Sequence, residues 1–202
     1  MNEPQIILAS ASPRRRELLA QIGVHHIQKV LPVDERHRPG ESPRDYVARL
    51  ALAKARAVHD SLGAGAGYPV LGADTAVVLA GLPLGKPRDR ADGLAMLRRL
   101  AGRDHRVFSA VALVGGREAL RVSETRVWFR DASEAELAAY WDSGEPHDKA
   151  GGYGIQGLGA VFVERIDGSY SGVMGLPLFE TAQLLKEFGI DVLPPAGGGR
   201  QG

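Results

Sequence analysis

The chain contains no cysteine among its 202 residues. That excludes disulfides, thiolate catalysis and cysteine-based zinc sites, and leaves the redox compartment unmarked. It has no apolar run of membrane-spanning length, and its start passes into a short strand pattern without a signal-peptide core. No membrane partner is therefore expected, and the cytoplasm is the expected location. Net charge is small: 25 basic residues against 24 acidic ones leave +1. With aromatics at only 6%, the chain offers neither a broad polyanion-binding field nor many stacking platforms, so nucleic acid is not an expected partner. Lysine is scarce too, limited to Lys29, Lys54, Lys86, Lys149 and Lys186. A chain that otherwise prefers arginine keeps lysine where a compact, strongly hydrated point charge is useful.

What is present is enough for a core: 44% hydrophobic and 24% charged residues, the balance of an ordered domain. The length fits one domain or two closely joined lobes, over residues 1–193, with the Pro/Gly-rich end 194–202 expected to be a flexible tail. The stretch Val70–Leu79, VLGADTAVVL, bounded by Gly/Pro turns, reads as a strand buried on both faces. It carries one carboxylate, Asp74, which is costly there unless a metal, a cation or several donors compensate it. Asp74 either bonds backbone amides at a strand end or serves catalysis or metal binding. Gly72 beside it leaves room for another group to approach the backbone.

In chain order, Gln5–Ala9 reads as a strand and Arg14–Ile22 as a helix, joined by SASPRRR, with Ser12 as N-cap and Pro13 at the first helical position. Arg14, Arg15 and Arg16 crowd the positive end of the helix dipole, where each costs about 0.3–1 kcal/mol. A small-residue turn and a cationic helix start suit an anion, against the alternative of a solvated basic turn. His26–Val33 reads as a second strand, with His25 and His26 at an edge or surface, and the following Asp34-Glu35 loop can meet Asp74 across a cleft. Ser42-Pro43 opens a helix to about Leu62 that contains Lys54, and Gly63–Gly67 is a loop. Pro87 keeps Lys86 in extended backbone, and Asp89 or Asp92 can cap a helix ending near Gly102. His105–Arg130 reads as a β-hairpin turning at Gly115-Gly116, and Ser133-x-x-Glu136 as a capping box. AGGYGIQGLGA reads as a tight loop whose backbone approaches another group, VFVERI as a last strand, and Leu176–Phe188 as a last helix begun by Pro177. Lys149 either supports the site, pairs with Asp148 or is solvated. Strands alternating with helices before a hairpin make this an α/β chain with a mixed sheet.

Taken together, LASASPRRRELL, GADT, the GKP turn, DKAGGYGIQG and GSYSGVMGLPL stand in the order and spacing of one family. The chain resembles the Maf nucleoside triphosphate pyrophosphatases, and DKAG before YGIQG resembles the branch that acts on dTTP and UTP. The resemblance implies an α/β fold of two lobes around a deep cleft, akin to the inosine triphosphate pyrophosphatases. It implies hydrolysis of a nucleoside triphosphate between its α- and β-phosphates, a divalent cation (Mg²⁺ or Mn²⁺) and a homodimer. Asp74 matches the family's proposed proton acceptor, Asp74 and Glu35 are the expected ligands of the cation, and Asp74 either accepts the proton of the attacking water or chiefly holds the ion. Arg14, Thr75 and Gln156 match positions of substrate preference, and Ser10, Arg15, Lys54 and Lys86 fall where the triphosphate is bound. The Gln156 amide, both donor and acceptor, suits the uracil or thymine edge. The alternatives are a pyrophosphatase of the same fold for 7-methyl-GTP or another base, and a nucleotide-sensing regulator of septum formation.

Overall fold

The strand with Asp74 is the axis of a seven-stranded sheet. The computed structural model describes residues 3–63 and 67–193. The tail expected at 194–202 therefore lies outside the described residues, as does most of the Gly63–Gly67 loop. In chain order the elements are β1 (Ile6–Leu8), α1 (Pro13–Gln21), β2 (His26–Gln28), α2 (Pro43–Asp60), β3 (Val70–Leu79), β4 (Leu82–Leu84) and α3 (Arg90–Leu100). They continue with β5 (Asp104–Val114), β6 (Glu118–Phe129), α4 (Glu134–Asp142), β7 (Val163–Asp167), α5 (Tyr170–Met174) and α6 (Leu178–Glu187). The sheet order is β2-β1-β3-β5-β6-β7, with β4 also on β3. β1 pairs parallel with β2 and β3, while in the series β3, β5, β6, β7 each strand is antiparallel to its neighbour, so the sheet is mixed.

β3 has the expected bounds, and nine of its ten residues are buried. Its alternation divides the core. Leu71, Ala73, Val77 and Leu79 face a cluster closed by α1, α3, α4 and α6, through Leu18, Leu97, Leu137 and Leu184 among others. Val70, Ala76 and Val78 face α2, which presents Val47, Ala51, Ala55 and Val58. α2 can lie this close because of Gly72: a Cβ there would overlap the Ala51 carbonyl oxygen. The room read beside Asp74 is filled by helix backbone.

Three expectations are corrected. The second strand is three residues long, not the eight of His26–Val33. After Gln28 the Lys29 amide still reaches Leu8, the Gln28 side chain bonds the Ser10 carbonyl at 2.7 Å, and the chain then leaves the sheet to line a cavity. The turn after β3 contains the short strand β4, where Pro83 pairs with Val78; with no N–H to donate, Pro83 is tolerated only at such an edge. The last helix starts at Leu178 with Pro177 as its N-cap, and α5 precedes it, the two separated by Gly175 at φ 118°. The hairpin, the Ser133–Glu136 capping box, the Asp89 cap and the Ser42 cap are as expected.

Candidate active site

β3 is covered unequally along its two edges. On one side β5 pairs with it continuously from Val70 to Val78. On the other, β1 pairs only with Val70 and Leu71, and β4 only with Val77, Val78 and Leu79. Between these partners, residues 72–76 have no neighbouring strand, and a cavity of about 1620 Å³ opens there. Asp74 and Thr75 lie in this gap with side chains on opposite faces of the sheet, yet both line the cavity because the missing strand joins the two faces. All nine residues singled out from the sequence (Ser10, Arg14, Arg15, Glu35, Lys54, Asp74, Thr75, Lys86 and Gln156) line it.

On the α2 face one lysine meets two carboxylates. Lys54 Nζ lies 2.7 Å from Asp74 Oδ1 and 2.7 Å from Glu35 Oε1. Glu35 reaches this point because α2 holds its loop: the Tyr46 hydroxyl donates to the Glu35 carbonyl, and Arg49 donates to the Asp34 and Arg36 carbonyls and to Glu41. The carboxylates of the loop and of β3 thus meet through a lysine. Burial raises the Asp74 pKa above the ordinary carboxylate value, with Lys54 and Arg15 opposing it only in part. A carboxylate so shifted is a better proton acceptor than a solvated one.

On the α1 face the partners are neutral. Arg15, 9% exposed, donates from Nε to the Gly175 carbonyl at 2.8 Å, from one terminal nitrogen to Ser10 Oγ at 2.9 Å, and from the other to Thr75 Oγ1 at 3.4 Å. Thr75 Oγ1 shares a 2.8 Å hydrogen bond with Ser109 Oγ, which donates to the Gly172 carbonyl at 2.6 Å. Burial lowers the Arg15 pKa, and the field of Asp74 opposes this; guanidinium stays charged in proteins. Arg15 therefore holds a buried positive charge with no carboxylate bonded to it. Ser10 and Thr75 are engaged in orienting that charge.

Around the cavity mouth, Arg14 is half-buried and Lys86 exposed, and neither has an ion-pair partner among the described residues. Ser12 takes the N-cap position of α1 without a side-chain hydrogen bond, and the first turn has no acidic residue, so the helix start remains suited to an anion. Gln156 is exposed, and its amide makes no hydrogen bond among the described residues. Lys149 bonds Asp148 at 2.7 Å and the Glu145 carbonyl at 2.6 Å, the paired alternative of those considered.

Sequence reasoning missed Ser109, Tyr140, Glu145 and the Gly175 carbonyl. Ser109 had a signal, being the lone hydroxyl in the apolar run VFSAVALV. Gly175 had none, since it acts through its backbone.

The donor set is compatible with a divalent cation. Glu35 and Asp74 already direct one oxygen each at a single cationic centre, Lys54 Nζ. No group of three or more His, Cys, Asp or Glu able to hold a metal occurs among the described residues. Two carboxylates with the remaining positions left to phosphate and water is the habit of Mg²⁺.

The family model described as Maf-like protein matches residues 5–188. A dTTP/UTP pyrophosphatase of Alkalilimnicola ehrlichii is 58% identical over 191 residues, covering 93% of this chain and 95% of that protein. One of Hahella chejuensis is 54% identical over 190 residues, covering 93% and 94%. Among solved structures, the nucleoside-triphosphatase / dITP/XTP pyrophosphatase of Mycobacterium abscessus is similar at a TM-score of 0.40 and 19% identity, over 62% of this chain and 74% of that one. The family match runs from the strand before the arginine-rich helix to the end of the last helix, so it takes in the whole cavity, and the chain belongs to the Maf family.

Proposed function

We propose that the protein hydrolyses dTTP and UTP to the nucleoside monophosphate and pyrophosphate. One observation carries the reading: Asp74, buried and raised in pKa, shares a cavity with Arg14, Arg15 and Lys86, three cations with no ion-pair partner among the described residues. A triphosphate supplies the missing negative charge and places its α-phosphoryl group between the two faces of β3. Relatives at 58% and 54% identity bear the same activity in their names.

Attack on a phosphoryl group needs positioning and charge neutralisation more than covalent help. Arg14 and Lys86 contact the phosphates from the open side, and Arg15 supplies its field from beneath. Asp74 accepts the proton of the attacking water, and Lys54 keeps enough of it ionised to do so. Glu35 and Asp74 would hold the divalent cation, Mg²⁺ or Mn²⁺, which when bound neutralises phosphate oxygens and acidifies water. Gln156 reads the pyrimidine edge. The two-lobed arrangement, a homodimer, a cytoplasmic location and the absence of a nucleic-acid partner belong to the same reading. No helix among the described residues is long and apolar enough to cross a membrane.

The test is a product assay with Mg²⁺ over dTTP, UTP, CTP, GTP, ATP and 7-methyl-GTP that separates monophosphate plus pyrophosphate from diphosphate plus phosphate. Monophosphate and pyrophosphate from dTTP and UTP are expected. Preferred cleavage of another nucleotide would keep the chemistry and remove Gln156 from its reading role; binding without turnover would favour a sensor.

A further inference from the structure

The loop with Gln156 has no regular secondary structure at its tip, and glycines occupy positions 154, 157 and 159. Such a segment is mobile unless something outside it holds the backbone. Both of its ends are held, by the same two side chains. The Gly154 amide donates to the Tyr140 hydroxyl at 3.1 Å, and that hydroxyl donates to Glu145 Oε1 at 2.8 Å. At the other end, the Gly159 amide donates to Glu145 Oε1 at 3.0 Å and the Leu158 amide to Glu145 Oε2 at 2.7 Å. The Glu145 carboxylate also lies so close to Gly157 that a Cβ there would overlap Oε2.

The holder is itself anchored. Tyr140 is buried in the last turn of α4, a helix begun by a complete capping box. Glu145 follows α4 across the left-handed Gly144, its amide bonded to Ser143 Oγ. Burial acts to raise the Glu145 pKa, yet the hydrogen bonds from Gly159, Tyr140 and Leu158, with the charge of Lys149, bring it below the ordinary value. The acceptor is thus ionised at neutral pH, and hydrogen bonds to a charged group are the stronger kind.

We propose that Glu145, braced by Tyr140, is a positioning residue for base recognition: its carboxylate closes residues 154–159 into one turn and so presents the Gln156 amide to the nucleobase in a fixed pose. This rests on the function proposed above and adds the device that sets its specificity. Glu145 lines the cavity, but both its oxygens are taken up by the Tyr140 hydroxyl and the Leu158 and Gly159 amides, so it acts through the loop. Its loss therefore releases the loop, and base binding must then supply the ordering entropy.

Steady-state kinetics of the full chain with Mg²⁺ test this. Glu145→Gln keeps the shape but turns an N–H toward the Leu158 amide. For dTTP and UTP it should raise KM about tenfold and leave kcat within about twofold, while KM for the poorest nucleotide of the panel stays put, so the preference narrows about tenfold. Tyr140→Phe should act in the same direction by about threefold, and it carries the test if Glu145→Gln does not fold. Adding Gln156→Ala to Glu145→Gln should narrow the preference no further, because the two act as one unit. A folded Glu145→Gln with unchanged KM and ranking, or additive effects in the double variant, would overturn the proposal. A wild type without preference for dTTP and UTP would fail the functional reading alone. Glu145 is then judged by whether Glu145→Gln raises KM for whichever nucleotide is cleaved.

Discussion

The two faces of β3 at the cavity solve opposite electrostatic problems. Toward α2, Asp74 and Glu35 share one lysine, so two negative charges meet one positive. Toward α1, Arg15 has three neutral acceptors and no carboxylate. The first face has room for more positive charge and the second for negative charge. A polar strand gap alone would not do this; Asp74 and Thr75 are consecutive, and the alternation of the strand sends them to different partners. In the proposed function a divalent cation and a polyphosphate would be the complementary pair, with Asp74 and Thr75 placing their seats one residue apart on β3.

The largest effect should come from Asp74→Asn, which removes the proton acceptor while keeping its volume. The rate constant should fall about 10²–10⁴-fold with an unchanged circular-dichroism spectrum. Wild-type turnover in a folded variant would make the α2 face structural only.

Next is the contrast between Arg15 and another base facing the same side of the sheet. His105, 2% exposed, bonds the Tyr153 hydroxyl at 2.7 Å through Nε2, and its Nδ1 has no hydrogen-bond partner among the described residues. Burial lowers its pKa from 6.5 to about 4. As pH falls below 6.5 the unfolded chain takes up the proton and the folded one does not. Stability is therefore present above 6.5, lost progressively down to about 4, and constant in this contribution below that. The loss amounts to about 3 kcal/mol. Urea unfolding between pH 7 and 4 should show wild type losing this much more than His105→Phe, and parallel profiles would refute a neutral buried imidazole. The same face thus keeps one base charged and another neutral: burial lowers both, but guanidinium starts far above neutral pH and imidazole close to it.

Arg15→Met and Lys54→Met should then separate the two faces kinetically. Removing Arg15 should raise KM by about ten- to a hundredfold, the value of a charge-assisted contact, and should move the acid limb of the pH profile less than removal of Lys54 does, because Arg15 opposes the rise at Asp74 more weakly than Lys54. Removing Lys54 withdraws the cation that most opposes the burial of Asp74, so the acid limb of kcat/KM should move to higher pH. If both variants shift the limb equally, the faces are not independent. The smallest effect is expected from Gln156→Ala, which should narrow the ranking of dTTP and UTP over other nucleotides about tenfold, as Glu145→Gln does, with kcat nearly unchanged.

The sequence showed much of this directly. Val70–Leu79 was legible because turn signals bracket an apolar run, and α2 and α4 because their caps are local chemistry. The residues that now line the cavity were legible through their motifs and, for Asp74 and Arg15, through the expense of placing such groups there. His26–Val33 has strand-like residues throughout, but β1, the strand that β2 pairs with, is three residues long, so β2 stops at Gln28. Glu145 was missed because its worth lies in amides 13 and 14 residues further on.

Local patterning by itself determined β3, the β5–β6 hairpin, the capped starts of α2, α3 and α4, and that one carboxylate must lie in a buried strand, since these follow from side-chain periodicity and capping chemistry within a few residues. The tertiary structure decided that β1 and β4 each cover part of one edge of β3 and leave residues 72–76 open, that Lys54 stands between two carboxylates, and that Arg15 meets none. Those outcomes depend on strand order, register and helix approach, which join residues 20 to 160 positions apart and leave no trace in any short stretch of the chain.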